Sequence, residues 1–218
     1  MLRSGLDLGA LVDDPVRRSV TARGLGSSQT AQWLAEHRPD IRYHCPHLSP
    51  YPRATQQALE GLVESLLPSP IGLIGSSLGG FWATWLAEKY DLRAVLINPA
   101  VDLAMFRHEM INVSLKNYHT DDVYMLKEEH VEVFRSVEVP EVKRPENYLL
   151  MVQTGDEVLD YRLAVRKYAG GSHVVEEGGD HTFSNFDQRI PEAISFLESG
   201  AGGAELTGRL QGEMLMRA

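Results

Sequence analysis

Gly75-Ser76-Ser77-Leu78-Gly79 joins two segments of different periodicity, and that junction restricts the fold more than any other stretch of the chain. Before it, Ile71-Gly72-Leu73-Ile74 is a short apolar run that reads as a buried strand. After it, Leu78 to Tyr90 carries Phe81, Trp82, Trp85, Leu86 and Tyr90 at core-facing helical spacings. A strand that turns through G-x-S-x-G into a helix holds its central serine on a strained turn, where the neighbours two positions away must be small. Gly75 and Gly79 meet that need, and Gly80 lets the helix approach the sheet closely. The pentapeptide alone is weak: with 19 glycines among 218 residues, about one such chain in ten would contain it by chance. Its setting is what makes Ser77 a candidate nucleophile rather than a plain tight-turn serine.

The remaining periodicity agrees with that setting. Ala94-Val95-Leu96-Ile97 is continuously apolar and reads as a strand buried on both faces. Tyr148 to Val152 and Ser172 to Val175 read as further strands. Helical spacing covers Ala54 to Leu67, Tyr161 to Tyr168 and Ile190 to Leu197, and Gln32 to His37 reads as the end of a helix stopped by Pro39. Ile41 to Cys45 looks like a strand, followed by the proline-punctuated loop Pro46 to Pro52. Strands alternating with helices specify an α/β fold with a mostly parallel sheet and helices on both faces.

Residues 101–145 interrupt the alternation. They are rich in charge, with Met105, Phe106, Met110, Tyr118, Tyr124 and Met125 scattered without a strong period. The segment reads as an insertion, which over an active site would be a cap or lid. Its methionines and aromatics either line an acyl pocket or simply pack the insertion onto the body. Residues 1–22 read as an atypical segment, disordered or misassigned, residues 23–198 as the domain, and residues 199–218 as a flexible tail with a weak helical pattern at Glu205 to Met216.

In a parallel sheet the carboxyl ends of the strands share one edge, where chemistry collects. Ser77 follows its strand on that edge. The turn after Tyr148–Val152 carries Asp156, and the turn after Ser172–Val175 carries His181. Serine, aspartate and histidine thus follow strands in the chain order of an α/β-hydrolase. A serine hydroxyl needs a base near neutral pKa, the base needs a carboxylate to set its tautomer, and the oxyanion needs preorganised donors. The N–H of Leu78 is one candidate donor, and a second would come from a loop after an earlier strand. Asp160 competes with Asp156 as the acid but sits where it would cap the next helix. Asp180 reads as solvated or capping. His44-Cys45-x-His47 lacks a second ligand pair, so a metal reading is set aside, and His108, His119 and His130 read as solvated.

Composition narrows the partners. The formal charge is −9 and no lysine- or arginine-rich stripe is present, which disfavours nucleic acid and anionic membrane surfaces. No apolar run approaches the roughly 18 residues of a transmembrane helix. A single cysteine, Cys45, forms no internal disulfide, consistent with a reducing compartment. A soluble, cytoplasmic protein is the expectation, with no metal or cofactor.

These residues also carry a resemblance. Trp33 to His37, the Pro46 to Pro52 loop, Ile74 to Gly80, Ala83-Thr84-Trp85-Leu86, Asn98 to Val101, Gln153 to Arg162 and Glu177-Gly178-Gly179-Asp180-His181 resemble the small bacterial YqiA-like esterases, over roughly residues 24 to 197. The resemblance implies an α/β-hydrolase that cleaves short-chain esters, with acyl-CoA thioesters as a further class, through an acyl-serine intermediate. It implies Ser77 as nucleophile, Asp156 as orienting acid and His181 as base. Where such proteins look as though they read His-Gly-Phe-x-Ser-Ser, this chain has Arg23-Gly24-Leu25-Gly26-Ser27-Ser28, after a barely apolar Ser19 to Ala22. Leu25 N–H is the matching second oxyanion donor. The altered segment also motivates the alternative, a catalytically impaired hydrolase-fold protein that binds an acyl ligand or a protein partner.

Overall fold

The continuous apolar runs become neighbours in one parallel sheet. The computed structural model describes residues 19–23, 27–101, 111–116 and 123–199. In chain order its strands are β1 (Ser19–Arg23), β2 (Arg42–His44), β3 (Ile71–Ser76), β4 (Arg93–Ile97), β5 (Ser114–Lys116), β6 (Val123–Met125), β7 (Tyr148–Gln153) and β8 (Ser172–Glu176). Six of them pair in the order β2-β1-β3-β4-β7-β8, and every pairing is parallel. β5 and β6 form a separate antiparallel pair within the insertion. β1 lies between β2 and β3, next to the edge strand, so the domain boundary expected between residues 22 and 23 falls inside a strand. The expected helix at 205–216 lies outside the described residues.

Among the described residues the α-helices are α1 (Ser27–His37), α2 (Pro52–Leu66), α3 (Leu78–Tyr90), α4 (Glu128–Val137), α5 (Tyr161–Lys167) and α6 (Ile190–Glu198). Strand periodicity sorts the core between the two faces. Leu73, Leu96, Leu150 and Val152 pack with α2 through Leu59 and Val63 and with α3 through Phe81 and Leu86. Their strand neighbours Ile74, Val95, Ile97, Leu149 and Met151 face the other way, toward Leu34 of α1 and Ile190, Ala193 and Ile194 of α6. A strand clothed on both sides has no polar face, which is why these runs carry no alternation.

The described part of the insertion holds regular elements that its scattered residues do not suggest. α4 buries Val131, Phe134 and Val137 at spacings of three. Phe134 meets Phe81 and Trp82 of α3 at ring-centroid distances of 5.8 and 5.6 Å. His130, read as solvated, instead accepts the Lys127 N–H at 3.0 Å and packs on Tyr51. Tyr124 and Met125 lie on β6, with Met125 exposed, while Met105, Phe106, Met110, Tyr118, His108 and His119 lie outside the described residues.

One buried polar pair ties α3 to the end of α5. The Thr84 hydroxyl donates to the Gly80 carbonyl at 2.8 Å and lies 2.7 Å from the hydroxyl of Tyr168, a fully buried residue. Thr84→Val keeps the shape and strands the tyrosine hydroxyl, so it should cost about 1–3 kcal/mol of stability. A urea midpoint matching the parent protein would refute that assignment.

Candidate active site

The elbow is built by main-chain bonds that force one residue into the left-handed region. Ser77, between β3 and α3, has φ 52° and ψ −124°. Its N–H donates to the Ile97 carbonyl at 3.0 Å, and its own carbonyl accepts from Gly80 and Ala100 at 2.9 and 3.0 Å. Such a conformation costs on the order of 1–3 kcal/mol and persists because its surroundings over-determine it. The expected requirement for small neighbours has a specific steric origin. A Cβ on Gly75 would lie 2.3 Å from the Gly79 carbonyl oxygen, and one on Gly80 would lie 2.5 Å from Pro99 Cβ. Because the obstacle at Gly75 is backbone, Gly75→Ala should destabilise the protein by about 1–3 kcal/mol or more. Thermal unfolding unchanged by that substitution would contradict this account of the elbow.

Ser77, Asp156 and His181 converge at the carboxyl edge of the sheet. His181 Nε2 lies 3.0 Å from Ser77 Oγ. Its Nδ1 lies 3.0 and 2.9 Å from the two carboxylate oxygens of Asp156. The Asp156 side chain is 1 % exposed and that of His181 16 %. Asp156 Oδ1 also accepts the N–H groups of Val158 and Leu159, both at 2.9 Å, so the carboxylate is aimed before it meets the ring. Three groups from loops separated by 25 to 104 positions thus form one hydrogen-bonded line.

The competing acids are engaged elsewhere. Asp160 caps α5 by accepting the Arg162 N–H, and hydrogen bonding to the Arg162 side chain holds its carboxyl below the usual range. Asp180 accepts from the hydroxyls of Ser184 and Thr182, which likewise hold its carboxyl low. Among the described residues no group of three His, Cys, Asp or Glu side chains could hold a metal ion.

Leu78 opens α3, so its N–H has no intrahelical acceptor and sits at the positive end of the helix dipole. Leu25 lies outside the described residues. The strand that precedes it in the chain is informative: β1 runs parallel beside β3, and its last residue, Arg23, is level with Gly75 at the elbow. Since β2 lies on one side of β1 and β3 on the other, this is the sheet's topological switch point, where open α/β sheets form crevices.

Residue types alone did not single out Asn98, Gln153 and Glu157. All three contact the loop that carries His181. A polar residue closing a fully buried strand, as Gln153 closes β7, was the available signal.

Comparison with solved structures gives the same fold. Mouse alpha/beta hydrolase domain-containing protein 10 aligns with a TM-score of 0.62 at 12 % identity, over 85 % of this chain and 92 % of that one. Monoacylglycerol lipase from Paleococcus ferrophilus aligns with a TM-score of 0.58 at 15 % identity, over 82 % and 94 %. Carboxylesterase CesB (YbfK) from Bacillus subtilis aligns with a TM-score of 0.53 at 15 % identity, over 87 % and 86 %. The architecture is the α/β-hydrolase fold. A family model described as an uncharacterised protein family, UPF0227, matches residues 25–198.

Proposed function

This chain belongs to UPF0227, the YqiA-like family, and on that premise we propose that it is a serine esterase acting on short-chain carboxylic esters through an acyl-Ser77 intermediate. The carrying observation is the line Ser77 Oγ–His181–Asp156, with bonds of 3.0 and 2.9 Å ending on a buried carboxylate. In the proposed sequence Ser77 Oγ attacks the acyl carbonyl while His181 Nε2 takes its proton. Asp156 keeps the other ring proton on Nδ1 and stabilises the imidazolium. The oxyanion accepts from Leu78 N–H and from the segment after β1, where Leu25 is the candidate. Collapse expels the alcohol, which leaves with the proton from His181. A water then attacks the acyl group with the same base, restoring the serine.

Acyl-CoA thioesters are a further substrate class in this proposal, since the same steps expel a thiol. The lipase and carboxylesterase among the similar structures favour ester substrates in general. A reducing, cytoplasmic setting belongs to the proposal as well. It is supported by the lone, exposed Cys45, and no helix among the described residues is long and apolar enough to cross a membrane.

Hydrolysis of p-nitrophenyl butyrate, paired with labelling by a fluorophosphonate, tests the reading. One equivalent of label on the peptide containing Ser77, slowed by substrate, is the expected result. The second reading, an impaired hydrolase fold that binds an acyl ligand or protein partner, is motivated by Arg23-Gly24-Leu25 in place of His-Gly-Phe. A folded protein that neither hydrolyses the ester nor takes the label would favour it.

A further inference from the structure

Both hydrogen-bonding groups of the His181 backbone are taken by side chains from other loops. Its N–H donates to Glu157 Oε2 at 3.0 Å. Its carbonyl accepts from Asn98 Nδ2 at 3.1 Å, and the same amide donates to the Asp180 carbonyl at 3.0 Å. Asn98 Oδ1 in turn accepts the main-chain N–H of Gln153 at 3.0 Å. The Gln153 side chain braces the flanks: Oε1 accepts the N–H groups of Asp180 and Ser184 at 3.1 and 2.9 Å, and Nε2 donates to the Ser184 carbonyl at 3.0 Å. Asn98 is 2 % exposed and Gln153 3 %, so water does not compete for these bonds.

We propose that Asn98 and Glu157 are positioning residues that clamp the backbone of His181 from its two sides, with Gln153 bracing the adjoining loop. The inference rests on the hydrolase reading above. The segment around His181 has no sheet ladder to hold it, and Phe183 and Asn185 take φ of 62° and 64°. The position of the imidazole therefore depends on how its main chain is tied. A displacement of about 1 Å at a reacting group costs roughly 10²-fold in rate. Asn98 must donate to two carbonyls and accept one N–H, a combination a carboxamide supplies and a carboxylate or hydroxyl does not. Its φ of 39° lies in the left-handed region that asparagine enters more readily than most residues. Glu157 adjoins Asp156, so consecutive carboxylates hold the same histidine at two points, one on the ring and one on the backbone.

The experiment compares Asn98→Gly, Glu157→Ala and Glu157→Gln in the full chain. It reads p-nitrophenyl butyrate kinetics and the low-field proton resonance of His181 Nδ1–H in its bond to Asp156. Glycine accepts the backbone conformation at position 98, so Asn98→Gly removes the amide without adding strain. Glu157 is exposed, so its variants should keep the fold. The clamp requires kcat to fall about 10²-fold in Asn98→Gly and about tenfold in Glu157→Ala, with KM within about threefold of the parent value. Glu157→Gln, which keeps an acceptor oxygen, should recover most of the loss. The low-field resonance should broaden or vanish in the first two variants.

Unchanged kcat and an intact resonance in both folded variants would overturn the clamp, as would Glu157→Gln being no faster than Glu157→Ala. Should Asn98→Gly fail to fold, the Glu157 pair decides the question. The resonance needs no turnover: a parent protein without esterase activity whose variants still lose the signal would remove the hydrolase reading and leave the clamp standing.

Discussion

Replacing Ser77 with alanine is expected to lower kcat for p-nitrophenyl butyrate by about 10⁴-fold or more, while the fold stays intact. The size of the loss follows from the unity of the triad. Without the hydroxyl, His181 has no proton to accept and no acyl intermediate forms, so only binding and oxyanion donors remain to assist water. The structural cost is small because the strain at position 77 belongs to the backbone. Its φ of 52° is imposed by bonds from Ile97, Gly80 and Ala100 that the side chain does not make. Circular dichroism and the unfolding midpoint should therefore match the parent protein within about 0.5 kcal/mol. Equal hydrolysis by both proteins would mean that the ester is cleaved somewhere other than at Ser77.

Asp156→Asn should be nearly as damaging, by about 10⁴-fold in kcat, through a tautomer rather than a missing group. Val158 and Leu159 both donate N–H bonds to Oδ1. Those two donors fix which end of an asparagine would face them: the carbonyl oxygen stays at that site, and the NH₂ takes the place of Oδ2. That amide then donates to His181 Nδ1 and drives the ring proton onto Nε2. An Nε2–H facing Ser77 Oγ cannot receive its proton. Asp160, committed to the cap of α5 and to Arg162, is in no position to substitute. The check is the ratio of kcat between parent and variant, alongside the histidine tautomer read by nitrogen NMR shifts. A variant within tenfold of the parent rate, or one with Nδ1–H retained, would show that Asp156 does not set the ring.

Local rules made much of the architecture legible. β3, β4 and β7 are short runs without polar interruption, and α2, α3 and α6 repeat apolar residues at helical spacing. Such patterns are set by neighbours in sequence, which is why they can be read there. α4 is not legible in the sequence although Val131, Phe134 and Val137 carry its period, because the charged residues around it make the whole of 101–145 look aperiodic. β1 was legible only as a barely apolar stretch. Its place between β2 and β3 comes from pairing partners 23 and 52 positions away.

The same division runs through the site. The order of Ser77, Asp156 and His181 after successive strands was already written in the chain, since each follows a strand whose carboxyl end must reach one edge of a parallel sheet. What the tertiary structure alone decided is what holds the ring still. The sequence already favours Asp156 over Asp160 and Asp180, and the folded chain has Asp156 on His181 while the other two bond to Arg162, Thr182 and Ser184. Asn98, Gln153 and Glu157 carry no periodic signal, and the motifs that include them give them no role. Asn98 and Glu157 reach His181 across 83 and 24 positions because parallel crossovers bring the ends of β4, β7 and β8 together. Hydrophobic period is a property of a segment, whereas a buried hydrogen bond between loops is a property of the folded whole.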